Sequence, residues 1–297
     1  MYYTENTTLY LDGEFQAAGE AHANLYSQTL HYGYGVFEGI RSYQTSNGVK
    51  IFKAREHFER LSKSCELIGI PFDKSPEELT ALSYELLKRN GFSDAYLRPL
   101  IFCGPNMSLT RPKDVHLLLC AWEWGAYLGE QMLKLMISRF CRPHPRSLHV
   151  EAKACGHYVN SILATAEAKD KGYDEGLLLD HEGFLAEGPG ANLFFGTGQK
   201  LFTPLKGCIL PGITRSTVIS LCAELGFQVE EGKYTPTDLL KAEFAFYCGT
   251  AAEIVGIESV NGQKLPGFWP STAGKLLQDA YTCKVREQKT KHLTTGA

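Results

Sequence analysis

The chain has 297 residues, 44% of them hydrophobic, with a formal charge of -3 and a pI near 6.3. That is ordinary globular composition, enough for one large or two modest domains, and its mixed, slightly acidic charge excludes the basic footprint of a nucleic-acid or anionic-membrane binder. No apolar run approaches the roughly 18 residues that span a bilayer, and the opening "MYYTENTTLYLDGEF" lacks the basic region and apolar core of a secretory signal.

In chain order, "AREHFERLSKSCELIG" sets Phe58, Leu61, Cys65 and Ile68 at helical spacing. "SPEELTALSYELLKRNGF" predicts a second helix, with Ser75 as N-cap, Pro76 at the first helical position, Glu78 completing a capping box and Gly91 ending it. "AYLRPLIF" and "VHLLLCAW" read as strands; alternation puts Tyr96 and Arg98 on one face, and Pro99 suggests an edge or a bulge. Residues 123–131, "EWGAYLGEQ", break the regularity and are expected to connect a domain of residues 1–122 to one of residues 132–297. Beyond them come a strand at "MLKLMISRF" and a helix at "NSILATAEAKDKG". Hairpins follow at "EGLLLDHEGFLAEG" and "NLFFGTGQKLFTP", then a helix at "ITRSTVISLCAELG", strands at "FAFYC" and "IVGIESV", and a last helix near 271–288. Hairpins alternating with helices predict an α+β chain in two domains rather than a doubly wound parallel sheet.

The nine cysteines show no C-x-x-C pair, which suits reduced thiols in a cytoplasmic compartment. The nine histidines show no metal spacing, so no metal site is expected.

Four features carry chemistry, each with a bland alternative. In "HVEAKACGHYVNS", Lys153 sits between alanines, either an ordinary loop lysine or an amine kept for use. "LPGITRSTVISL" places Gly212 at a helix start with Ile213 and Thr214 in the first turn, a ready anion site or simple capping. "YCGTAAEI" offers a small-residue turn, Gly249 to Ala252, where backbone donors can approach a ligand. "GFLAEGPGANLFF" sets Glu187 where apolar flanks make burial plausible, and a buried carboxylate needs a partner such as an arginine, a metal or a protonated ring nitrogen. The glycines of "HYGYGVFEGIRSY" lack dinucleotide-fingerprint spacing and, with their aromatics, read as a pocket or sheet face. Taken together these parts equip a pyridoxal phosphate site: a lysine amine, a phosphate cup and an acid for the ring nitrogen. Burial can free a lysine of its proton, whereas arginine stays charged.

These motifs, with "WGAYLG" and "AYLRPLIF", closely resemble the branched-chain amino-acid aminotransferases of the class IV (fold type IV) pyridoxal phosphate enzymes, over about residues 8–282. The resemblance implies a small N-terminal α/β domain, a larger β-barrel-like C-terminal domain and pyridoxal 5'-phosphate as cofactor. It implies that Lys153 bonds the cofactor and shuttles the proton, Glu187 pairs with the ring nitrogen and Tyr158 contacts the phenolic oxygen. Arg60, Ile213, Thr214 and Thr250 are implied to hold the phosphate, with Gly212 and Gly249 also in the cofactor site. Tyr96 and the turn Thr250–Ala251 would take the α-carboxylate; Tyr32, Phe37, Trp124 and Tyr127 would wall the side-chain pocket; Arg98 would receive the distal carboxylate of glutamate. It further implies a cytoplasmic homodimer, with loop 103–112 near the partner's active site, acting on leucine, isoleucine or valine and 2-oxoglutarate. His157 departs from the asparagine of bacterial relatives. Relaxed-specificity or (R)-amine transaminases, D-amino-acid transaminases, aminodeoxychorismate lyases and a non-catalytic cofactor binder stand as alternatives. "VFEGIR" with "CGTAAEI" fits the D-amino-acid and lyase branches poorly, and the intact Tyr96, Arg98 and Thr250–Ala251 argue against a mere carrier.

Overall fold

The computed structural model describes residues 2–125, 128–129 and 131–288. The described residues form two compact units, one drawn from residues up to 125 with 152–158, the other from residues 128–151 with 159–288.

The first unit is an antiparallel sheet with two helices. Its strands are β1 (Thr8–Leu11), β2 (Glu14–Ala17), β3 (Gly35–Phe37), β4 (Ile40–Thr45), β5 (Gly48–Ile51), β6 (Ala95–Cys103) and β7 (Val115–Glu123), in the order β2-β1-β7-β6-β4-β5 with β3 also on β6. A short helix α1 (Gln28–Tyr32) precedes β3; α2 (Ala54–Ile68) and α3 (Pro76–Asn90) follow β5. Both longer helices form where the sequence predicts, and α3 begins and ends at its expected cap and stop. Gly69 and Gly91 close them in the left-handed conformation, at φ 75° and 67°, and Ser75 Oγ accepts from Glu78 N at 3.1 Å. The reciprocal half of the expected capping box differs: the Glu78 carboxylate takes Lys74 Nζ at 2.5 Å. Phe58, Leu61, Leu79 and Leu86 bury fully against Ile40, Leu97 and Ile101 of the sheet, each contributing about 1.5–3 kcal/mol.

Pro99 is not on an edge. β6 pairs with β7 along one side, while on the other β3 covers residues 100–102 and β4 covers residues 95–97. Pro99 lies at the break between β3 and β4, where its missing N–H leaves no ladder bond unmade and its carbonyl accepts from Glu38 N at 2.9 Å. That break turns Glu38 and Gly39 out of the strand pairing.

The second unit is built on a nine-stranded sheet: β8 (Leu133–Cys141), β9 (Glu175–Leu179), β10 (Leu185–Glu187), β11 (Asn192–Thr197), β12 (Lys200–Pro204), β13 (Gln228–Gly232), β14 (Phe244–Gly249), β15 (Glu253–Val260) and β16 (Gln263–Lys264). The path β10-β9-β8-β15-β14-β11 returns to its start because β10 also pairs with β11, so six strands close a ring. Leu135, Leu177, Leu193, Phe195, Ala245, Tyr247, Val255 and Ile257 alternate along these strands and form one buried cluster, as the small barrel anticipated from the resemblance requires. The remaining α-helices are α4 (Tyr158–Asp170), α5 (Ile213–Glu224), α6 (Pro236–Lys241) and α7 (Ala273–Val285). The hairpins β9–β10 and β11–β12 form as read. Among the described residues, no helix is long and apolar enough to cross a membrane.

Candidate functional site

In the first unit, Lys153 is fixed by its backbone before its side chain does anything. Its N–H donates to Ser64 Oγ on α2 at 3.0 Å, and its carbonyl accepts from Phe37 N on β3 at 3.1 Å. Val36 and Ala154 form an isolated bridge beside it. The next turn lies on Gly33, whose carbonyl accepts from Gly156 N at 3.0 Å. A Cβ on Gly33 would meet Gly156 Cα at 2.9 Å, and the φ of 65° at Gly33 also favours glycine. The glycine at residue 33 is thus demanded by close backbone approach to residue 156.

Lys153 Nζ is half-buried, donates to Tyr158 Oη at 2.7 Å and lies 5.0 Å from the centre of the Phe37 ring. Phe37 and Tyr158 meet edge to face at 4.7 Å. Arg98 extends over Phe37 (4.6 Å), Tyr96 (5.4 Å) and Trp122 (5.7 Å), a favourable seat for a guanidinium. Its Nη2 lies 3.4 Å from Tyr96 Oη, as expected of neighbours on one strand face. Arg98 Nε and Trp122 Nε1 are buried without a hydrogen-bond partner, two donors suited to an acceptor carried by a ligand. Trp124 meets the Tyr96 ring at 4.8 Å. Cys155, next but one to Lys153, has its thiol pushed up to about 11 by burial, which keeps it protonated at neutral pH.

Arg60 stands in a buried cluster that the sequence reading missed. Glu38 is fully buried; its carboxylate takes Arg60 Nε at 2.6 Å, Arg60 Nη2 at 2.9 Å and His57 Nδ1 at 2.8 Å. Burial pushes the Glu38 pKa up, but Arg60 and His57 outweigh it and hold the carboxyl well below its usual range. Burial lowers the His57 pKa more than Glu38 raises it, so a neutral imidazole donates its Nδ1–H. Tyr32 lies apart from these contacts: it is exposed, and its hydroxyl donates to Met107 O at 3.1 Å. Tyr127 lies outside the described residues.

In the second unit, Glu187 ends β10 with its carboxylate buried. Arg142 Nε lies 2.9 Å from Oε1, close in distance although off hydrogen-bond alignment. Asn192 Nδ2 donates at 3.1 Å and Leu210 N at 3.2 Å. Gly212 is required by space: a Cβ there would lie 2.0 Å from Asn192 Oδ1. It caps α5 with no side-chain hydrogen bond, and Ile213 and Thr214 are buried in the first turn, so backbone N–H groups and the helix dipole present positive potential there. Gly249 closes on the same neighbourhood, since Asn192 pairs with Cys248 and a Cβ on Gly249 would approach Gly190 O to 3.0 Å. Thr250 and Ala251 form the half-buried turn between β14 and β15.

Arg142, Asn192, Leu210, Trp122, Glu38, His57 and Ser64 are residues that sequence reasoning did not name. Only Glu38 left a signal, an acid between Phe37 and Gly39 in an otherwise apolar run.

A family model described as amino-transferase class IV matches residues 35–260. The chain is 39% identical over 281 residues to the branched-chain-amino-acid aminotransferase of Escherichia coli (strain K12), covering 92% of this chain and 91% of that one. Among solved structures it is similar to a branched-chain aminotransferase from Thermoproteus uzoniensis with norvaline (36% identity, TM-score 0.91, 97% of each chain). It is also similar to a branched-chain amino acid aminotransferase from T.th. complexed with N-(5'-phosphopyridoxyl)-L-glutamate (33% identity, TM-score 0.91, 98% and 97%).

Proposed function

The chain belongs to the class IV aminotransferases, and we propose that it reversibly transfers the amino group of L-leucine, L-isoleucine or L-valine to 2-oxoglutarate. The observation that carries this reading is the setting of Lys153, its backbone fixed at both ends and its amine bonded to Tyr158 beside Phe37, with Arg98 over the same ring. Pyridoxal 5'-phosphate is the family's cofactor; bound, it supplies an aldehyde that carries the amino group and a ring that stores the electron pair released at Cα.

The residues suit that group. Lys153 Nζ is the base that takes the substrate's Cα proton and returns it. Tyr158 orients that amine and contacts the phenolic oxygen. Glu187, set among Arg142, Asn192 and Leu210 N, is assigned to pair with the ring nitrogen and favour its protonation. Arg60, Ile213, Thr214 and Thr250 are assigned to the phosphate, and Gly212 and Gly249 to the cofactor site, supported by the uncapped start of α5. Tyr96 with Thr250–Ala251 is assigned to the α-carboxylate, and Phe37, Trp124, Tyr32 and Tyr127 to the apolar wall. The buried, unpartnered Nε supports Arg98 as receiver of a distal carboxylate. One pocket with apolar walls and a reachable guanidinium then accepts both leucine and glutamate.

A division at residues 123–131 and a cytoplasmic homodimer belong to the same proposal. Nine free thiols suit a reducing compartment. Leu25, Tyr26, Leu30, Met107 and Leu109 are exposed, and Gln28 Nε2 ties their two segments by donating to Thr110 O at 2.9 Å; a subunit interface would cover such apolar side chains.

The test is the absorbance of the purified holoenzyme before and after L-leucine is added without an oxo acid. Bleaching of the lysine-bound cofactor band to the pyridoxamine phosphate form is expected. A yellow protein that ignores L-leucine but responds to D-amino acids or amines sinks the substrate assignment.

Gly39→Ala tests the pocket independently. A Cβ at residue 39 would lie 1.8 Å from Tyr96 Oη, so the tyrosine must move. A displacement on the order of 1 Å is expected to lower kcat/KM for leucine about a hundredfold. The overpacking should cost only about 1–3 kcal/mol of stability. Unchanged kcat/KM would remove Tyr96 from the site.

A further inference from the structure

We propose that Glu38 and His57 are positioning residues for Arg60, fixing the guanidinium that grips the cofactor's phosphate and thereby setting how tightly the phosphorylated cofactor is retained. The inference rests on the assignment of Arg60 to the phosphate.

It starts from the burial of a charge that stability alone does not explain. Glu38 is 0% exposed, and the Arg60 side chain only 12%. Apolar residues of similar volume often stabilise as well as a buried ion pair, so retaining one points to a geometric role. The geometry here is over-determined. Arg60 binds bidentately through Nε and Nη2, which fixes the guanidinium plane and directs its Nη1 side away from Glu38. His57 Nδ1–H bonds Glu38 Oε2, and so does Gly39 N at 3.2 Å. The Glu38 backbone is itself anchored on Pro99 O, at the strand break where the proline lies. The carboxylate therefore has few ways to move.

The cluster also faces the right groups. His57, Arg60 and Ser64 follow at i, i+3 and i+7 on one face of α2, and Ser64 holds the Lys153 N–H. Tyr158 and Tyr96 lie within electrostatic range of Arg60, and Lys153 within range of His57. One helix face thus carries both the backbone anchor of the amine and the oriented guanidinium. An arginine locked before its ligand arrives loses little side-chain freedom on binding, so its contact is realised almost in full.

The test compares pyridoxal 5'-phosphate with pyridoxal, which lacks the phosphate, each titrated into full-length protein freed of cofactor. Glu38→Gln is expected to weaken pyridoxal 5'-phosphate on the order of ten- to a hundredfold, the scale for losing an outer partner of a binding group, and to leave pyridoxal unchanged. In an Arg60→Met background, Glu38→Gln should add no further loss, because its effect runs through the arginine. Equal weakening of both ligands, or no weakening, overturns the proposal, since a merely structural acid would not distinguish them. Arg60→Met with an undiminished preference for the phosphorylated ligand overturns the phosphate assignment itself. Where Glu38→Gln yields no soluble protein, His57→Gln carries the same comparison, with a smaller selective loss expected and an unselective or absent one overturning the proposal.

Discussion

Lys153→Ala is expected to give a folded protein with no measurable transamination of L-leucine, a loss of at least about 10⁴-fold in kcat. The size follows from the two roles proposed for the one amine, bonding the cofactor and moving the proton between two carbon positions. Proton transfer by a placed base alone is worth about 10²–10⁴-fold, and loss of the covalent anchor adds to it. Folding should be nearly untouched. The bonds that fix residue 153, to Ser64 Oγ and from Phe37 N, use its backbone and survive truncation. The Nζ–Tyr158 bond is half-exposed and contributes about 0.5–1.5 kcal/mol. Lys153→Arg should be equally inactive, because a guanidinium keeps its proton. Steady-state rates with 2-oxoglutarate, alongside the thermal midpoint, separate the two effects. Near-parent turnover in either variant removes Lys153 from the chemistry.

How much of this was legible in the sequence depended on whether the cause was local. The helices α2 and α3 carry their own stops in Gly69 and Gly91, and α3 its own cap in Ser75, so periodicity and punctuation sufficed. Lys153 stands out because its neighbours are small; the approach of Gly33 to Gly156 beside it leaves only a glycine in the sequence. The Glu38–Arg60–His57 cluster was not legible: it joins residues 22 and 19 positions apart through the pairing of β3 and β4 with β6. Gly212 looked like a device for exposing backbone donors, whereas its Cβ position is taken by Asn192 Oδ1. Pro99 suggested an edge because a proline in a strand interior wastes a ladder bond; here two strands share one side of β6, and the proline falls in the gap between them.

Glu187→Gln is the second large effect, and Arg142 decides its form. The Arg142 charge and two donors, Asn192 Nδ2 and Leu210 N, surround the carboxylate. Glutamine keeps the shape but turns an NH₂ toward one of them and leaves the Arg142 charge, in a side chain only 7% exposed, without its partner. Breaking a buried pair from one side costs about 3–5 kcal/mol, a large part of the roughly 5–15 kcal/mol that holds a domain together. Under the proposed pairing of Glu187 with the ring nitrogen, turnover should fall by a second route, since a neutral amide no longer favours a protonated ring nitrogen; removing such a fixed electrostatic contact costs about 10²–10³-fold in kcat. The double variant Arg142→Met/Glu187→Gln separates the two. With the stranded charge gone, stability should return most of the way, while kcat stays as low as in Glu187→Gln. Chemical denaturation of the four proteins of the cycle, with kcat at saturating cofactor, reads both quantities. If the double variant regained turnover along with stability, the loss in Glu187→Gln would be one of folding alone. Glu187 would then be a structural acid.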